Sequence, residues 1–106
     1  MIIRAWKGHA SAANLPAYVE HFRRNVVPQL RRIRGFLGAL LLREDLPGEV
    51  NFLVHTKWAS MDAIRAFAGD DVTKTVVEPE AAPVLIDFDR TVRHYEVLEE
   101  VCAETR

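Results

Sequence analysis

The spacing of apolar positions changes along the chain in an order that lays out the fold. "IIRAWKGH" opens with β-formers and stops at Gly8, which predicts a first strand over residues 2 to 8. After it, Asn14 is placed to cap a helix whose apolar positions Leu15, Val19, Phe22, Val26, Leu30 and Ile33 follow one another by three or four residues. Such a stripe is buried on one side. Pro28 interrupts it, since the proline ring conflicts with the carbonyl four residues back and donates no hydrogen bond, so a kink or break is expected near residues 25 to 27. Gly35 then ends the helix, with Arg31, Arg32 and Arg34 in the last turn, where the helix dipole favours cations.

Two apolar runs follow, Phe36 to Glu44 and Val50 to Trp58, separated by "DLPGE" with Pro47 and Gly48 for a turn; this predicts a hairpin. Ser60 caps a second helix on which Met61, Ile64, Phe67 and Ala68 share a face, and Gly69 terminates it. Pro79 and Pro83 exclude a long regular element from residues 70 to 90, leaving room for one short helical turn in "PEAAPVLI". "RTVRHYEVLEE" alternates as a last strand, with Val92, His94, Glu96 and Leu98 on one face and Arg93, Tyr95 and Val97 on the other. The order βαββαβ predicts an α+β, ferredoxin-like fold in one domain spanning residues 1–106, an antiparallel sheet with both helices on one face.

Two helices cover one face of such a sheet. The other face should turn polar where it meets water, yet "FLGALLL" is apolar on both faces and Phe52 and Leu53 point opposite ways. An open apolar face marks an association surface, and a symmetric homodimer packed sheet to sheet is the economical solution. Coverage of that face by residues 70 to 90 within one chain is the alternative.

Composition narrows the partners. Fourteen Lys and Arg against fifteen Asp and Glu leave a formal charge of −1, so no global field draws the chain to nucleic acid or an acidic membrane. No stretch reaches the roughly 18 apolar residues that span a bilayer, and "MIIRAWKGHA" is too short an apolar run for a signal peptide, which predicts a cytoplasmic protein. Cys102 stands alone and reads as an inert tail residue. The four histidines at 9, 21, 55 and 94 show no close metal-ligand spacing, so no metal is expected. The arginines between Arg23 and Arg34 read as a solvated helix face, and the absence of a phosphate loop or dinucleotide fingerprint gives no motif support for flavin or nicotinamide.

The stretches "VHTKWAS", "MDAIRAFAG" and "FDRTVRHYEV" resemble the antibiotic biosynthesis monooxygenase family of the dimeric α+β barrel superfamily, most sharply in the Trp-x-Ser signature at Trp58 and Ser60. The resemblance implies a homodimer with a pocket in each subunit between sheet and helices. It also implies cofactor-independent oxygenation of an aromatic or polyketide-like small molecule, with a non-catalytic, stress-associated ligand-binding barrel as the alternative. The haem-degrading branch is similar at the same junction, but its helix tryptophan falls on Phe67, its iron-ligating histidine falls near Val77, and its first-strand asparagine has no counterpart, so haem is not expected.

Within that frame the chemistry falls on a few residues. His94, on the face shared with Val92 and Leu98, is the candidate catalytic base for a phenolic proton, or else a histidine hydrogen-bonded in the core or at an interface. Trp58 ends the strand face of Val50, Phe52, Val54 and Thr56 and reads as a core plug, as the flat wall of an aromatic site, or as both together. Tyr18, His21, Phe22 and Phe67 are candidates to line the same space, and His55, opposite in parity to Val54, is expected at the dimer side.

Overall fold

The computed structural model describes residues 1–76 and 81–103. Strand β1 (Ile2–Ser11) is followed by a helical segment, α1 (Leu15–His21), a π-helical turn (Phe22–Val26) and α2 (Val27–Arg31). The hairpin β2 (Phe36–Leu46) and β3 (Glu49–Trp58), helix α3 (Met61–Ala68) and two short strands, β4 (Asp87–Phe88) and β5 (Arg93–Glu96), complete the chain. The sheet runs β2-β3-β1, and β4 and β5 both pair antiparallel with the far side of β1. This is the expected antiparallel α+β, ferredoxin-like architecture.

The N-terminal cap differs from expectation. Ser11, not Asn14, supplies it: the Ser11 hydroxyl accepts from the backbone N–H of Asn14 at 3.2 Å and starts a short 3₁₀ turn before α1. The expected disturbance ahead of Pro28 takes the form of the π turn, closed by the N–H of Val27 donating to the carbonyl of Phe22. A wider turn here relieves the clash that Pro28 would make in a regular α-helix, so the chain continues into α2 without breaking. Gly35 then turns the chain with φ of +96°, and a Cβ there would meet the Ala63 Cβ at 2.7 Å; both constraints demand glycine.

The last strand, expected over residues 90 to 100, is shorter, Arg93–Glu96, and a separate two-residue strand, β4, precedes it. β4 pairs with Gly8 and His9 and β5 with Ile2 to Ala5; Asp89 N–H still donates to Lys7 O at 2.9 Å, and the residues from Arg90 to Val92 leave β1. They turn instead toward residues 73–75, where Val92 N–H donates to Thr73 O at 2.8 Å and Thr75 N–H to Arg90 O at 3.2 Å. Backbone groups freed from one ladder are thus satisfied by another.

Register decides what faces the helices. Arg4 pairs with Thr56 and with His94, and Ile2 pairs with Trp58, so the even positions of β1, β3 and β5 look toward α1–α3. One core cluster gathers Leu15, Tyr18, Val50 and Phe52, and a second gathers Leu30, Trp58, Ala63 and Ile64. Ala81, Val84 and Leu85 pack on the first cluster, on the helix side, so these residues do not cover the opposite sheet face. That face carries Leu40 and Leu42, 55% and 38% exposed, beside Leu53 and His55.

Candidate functional site

A cavity of about 60 Å³ lies between the helical segment and the sheet. The sheet contributes Arg4 and Trp6 from β1 and Val54 and Thr56 from β3; the helix contributes Tyr18, His21, Phe22, Val26 and Leu30. Phe67 of α3 with Val76, Ala81 and Val92 completes the lining among the described residues. The cavity is partly open to solvent, and Val76 of its lining is 44% exposed.

Its aromatic wall is built from one cluster. Tyr18 and Phe52 rings lie 4.2 Å apart, and Trp6 meets Phe52 edge-on at 5.8 Å, an offset arrangement that aromatic quadrupoles favour. Gly8 makes this packing possible, since a Cβ there would sit 2.7 Å from the Phe52 ring. The Trp6 indole donates to the carbonyl of Asp89 at 3.1 Å, in the stretch where the last strand leaves the sheet. The split strand therefore holds the ring that forms the cavity floor.

Arg4 is the charged member of the lining and is 96% buried, having 4% of its surface exposed. Its guanidinium donates to the carbonyls of Val72 at 2.5 Å and Lys74 at 3.0 Å, and Nη1 lies 3.1 Å from His94 Nε2. It also sits 5.8 Å from the Phe67 ring centroid, within cation–π range. Every one of these partners is neutral, and burial pushes the Arg4 pKa down to about 10. Among the described residues no carboxylate pairs with it.

The expected site residues divide into two groups. Tyr18, His21, Phe22 and Phe67 do line the cavity. His21 is buried, and its Nδ1 lies 2.9 Å from Asn25 Nδ2 within the π turn. Trp58 and His94 do not line it. Trp58 is fully buried in the second core cluster, where its indole donates to Thr56 Oγ1 at 2.7 Å, so it is the core plug and not the wall. His94 stands behind Arg4. Because a guanidinium only donates, the His94 Nε2 must accept, which fixes a neutral ring protonated on Nδ1 and occupies the lone pair that a base would use. Burial first and the Arg4 charge second hold the His94 pKa below its ordinary value.

Sequence reasoning missed Arg4 and Trp6. The signal was present in their parity, since both share the inward face of β1 with Gly8 and Ala10. His55 does fall on the face away from the helices. Val77, compared with a haem-ligating histidine, lies outside the described residues, and no described group of three or more His, Cys, Asp and Glu converges as a metal site. No helix among the described residues is long and apolar enough to cross a membrane.

A sequence model of the antibiotic biosynthesis monooxygenase family matches residues 1–79. Among solved structures, a candidate antibiotic biosynthesis monooxygenase from Bacillus cereus aligns with TM-score 0.69 at 17% identity, covering 99% of this chain and 98% of that one. The haem degrader MhuD from Mycobacterium tuberculosis, with two haems bound in its active site, aligns with TM-score 0.61 at 21% identity over 96% of this chain and 100% of that one. A monooxygenase from the gene ActVA-Orf6 of Streptomyces coelicolor, in complex with nanaomycin D, aligns with TM-score 0.64 at 15% identity over 97% and 92%. No curated protein matches the chain in sequence.

Proposed function

This chain belongs to the antibiotic biosynthesis monooxygenase family, and from that premise we propose that it oxygenates a small aromatic molecule held in the cavity beneath α1, without a tightly bound cofactor. The observation that carries this reading is the lining itself, in which Trp6, Tyr18, Phe22 and Phe67 surround a space that also holds Arg4 and His21. A cavity lined by Phe, Leu and Val alone would favour passive binding of an apolar ligand; titratable and cationic groups favour chemistry on an ionisable one. In such a reaction the electrons come from the substrate. A ring C–H para to a phenolic oxygen becomes a carbonyl, the phenol becomes the second carbonyl of a quinone, one oxygen atom of dioxygen enters the product and the other leaves as water.

Size limits the substrate. About 150 Å³ holds a benzene ring in a closed protein interior, more than twice the 60 Å³ here, so a bound ring needs part of its body in the open side of the cavity or a shift of lining side chains. Haem does not fit this lining. The cavity volume is far below that of a porphyrin, and at His21, the lining imidazole among the described residues, the Asn25 amide donates to Nδ1, which puts the ring proton on Nε2 and leaves no free lone pair for iron.

The assembly reading is a homodimer through the sheet face that carries Leu40, Leu42 and Leu53. Burying those side chains against their copies would remove exposed apolar area from water at about 25 cal/mol per Å².

Dioxygen uptake measured with naphthols and anthrones under air tests the catalytic proposal. Enzyme-dependent uptake with quinone formation is expected, and binding of these compounds with no uptake would leave a ligand-binding protein.

A further inference from the structure

The geometry points to Arg4 as the group that binds the substrate as an oxyanion, so that the cavity takes an aromatic phenolate and itself lowers the pKa of a bound phenol. This rests on the proposed use of the cavity and adds the charge state of what enters it. Three facts converge on it. A guanidinium has five N–H donors, and the two carbonyls and His94 Nε2 account for three, all on Nη1 and Nη2. The Nε–H makes no bond to a described residue, and among the described residues no buried side-chain nitrogen is both sealed and unpaired, so Nε borders accessible space in a residue that lines the cavity. Every partner of Arg4 is neutral, leaving a full positive charge without a counter-ion among the described residues, in surroundings that are otherwise mostly aromatic and aliphatic.

A buried, unpaired charge is costly, and a guanidinium is not relieved of it by giving up its proton near neutral pH. An oxyanion arriving at the free N–H edge supplies the missing counter-charge and makes charge-assisted hydrogen bonds. The ring to which that oxygen is attached then meets the aromatic wall of Trp6 and Tyr18. In the binding step the phenol O–H bond breaks heterolytically, its proton passes to water, and Arg4 stays protonated throughout. No strong base is required, which accounts for a cavity whose nearest expected base, His94, has its lone pair directed at Arg4.

The sign of a pKa shift decides the matter. An apolar cavity without a cation raises the pKa of a bound phenol; a cation in hydrogen-bond contact lowers it. The probe is 4-nitrophenol, whose anion absorbs visible light, titrated across pH in the presence of saturating protein, with 4-nitroanisole as a neutral ligand of similar shape. Wild-type protein is expected to lower the bound pKa by about one unit or more, and Arg4→Met to return it to or above the free value while binding 4-nitroanisole within about threefold of wild type. Arg4 also ties down Val72 and Lys74; should the Met variant not fold, the wild-type sign alone decides. A bound pKa unchanged or raised in the wild type overturns the assignment of Arg4, and so does a folded Met variant that keeps the lowered value. If 4-nitroanisole binds but no shift occurs, Arg4 fails and the cavity stands. If neither compound binds, both fail. A lowered pKa without dioxygen uptake on any phenol leaves Arg4 in place and removes the oxygenase reading alone.

Discussion

Arg4 Nη1 lies 3.1 Å from His94 Nε2, and the two residues are cross-strand partners of β1 and β5. Their contact requires a neutral imidazole, because protonation would set two cations against each other. His94 therefore has a folded pKa below its ordinary 6.5, while in the unfolded chain it titrates at that value. As pH falls below about 6.5 the unfolded state takes up the proton first and folding stability declines; above it the contribution is complete. Thermal unfolding should thus show a lower Tm at about pH 5.5 than at about pH 7, and His94→Gln, which keeps an acceptor but cannot titrate, should show a shallower decline. An identical slope in the variant would place the pH dependence elsewhere.

Trp58 separates stability from binding. It is fully buried and its indole N–H is satisfied by Thr56, so Trp58→Ala should cost about 3–5 kcal/mol in urea unfolding. Trp58→Phe should cost less while leaving the affinity for a phenol within about threefold. A large loss of affinity in a folded Trp58→Phe protein would return the residue to the site.

Thr56 is the hinge between these two regions. Its hydroxyl accepts from Trp58 and lies 3.4 Å from the Arg4 carbonyl, to which it donates. Thr56→Val strands a buried indole N–H and should destabilise the protein by about 1–3 kcal/mol. Thr56→Ser keeps the hydroxyl and should recover most of that loss.

Gly8 sets the depth of the aromatic wall. A methyl group there would press on the Phe52 ring at 2.7 Å and approach Trp6 at 3.0 Å. Gly8→Ala should cost about 1–3 kcal/mol by overpacking and change the near-ultraviolet circular dichroism of Trp6 and Tyr18.

The assembly makes its own prediction. Leu40→Glu combined with Leu42→Lys places charge on the open sheet face. Light scattering should find a wild-type dimer and a folded monomeric variant; a monomeric wild type would end the sheet-to-sheet proposal.

Much of this was legible in the chain because alternation is a property of short range. The parity of β3 put Phe52, Val54, Thr56 and Trp58 on one face, as the register has it; the parity of the last strand grouped His94 with Val92, Glu96 and Leu98 without saying which sheet face they take, and the register puts His94 beside Arg4 on the helix side. Pro28 announced the disturbance in the helix, since its ring and missing N–H act on its own turn. Cross-strand placement was not legible. Parity within one strand cannot say which sheet face His94 takes or that Arg4, its neighbour across the sheet, stands against its Nε2. The break between β4 and β5 was hidden for a similar reason, because it depends on backbone bonds to residues 73–75 that no local pattern announces.

The most direct test of the account is incubation with 1-naphthol or anthrone under oxygen-18 gas, with mass spectrometry of product and water. The account predicts one labelled atom in the quinone and one in water, in an enzyme-dependent reaction that Arg4→Met slows by at least about tenfold. Product formed without label, or no consumption of dioxygen above the protein-free rate, would contradict it.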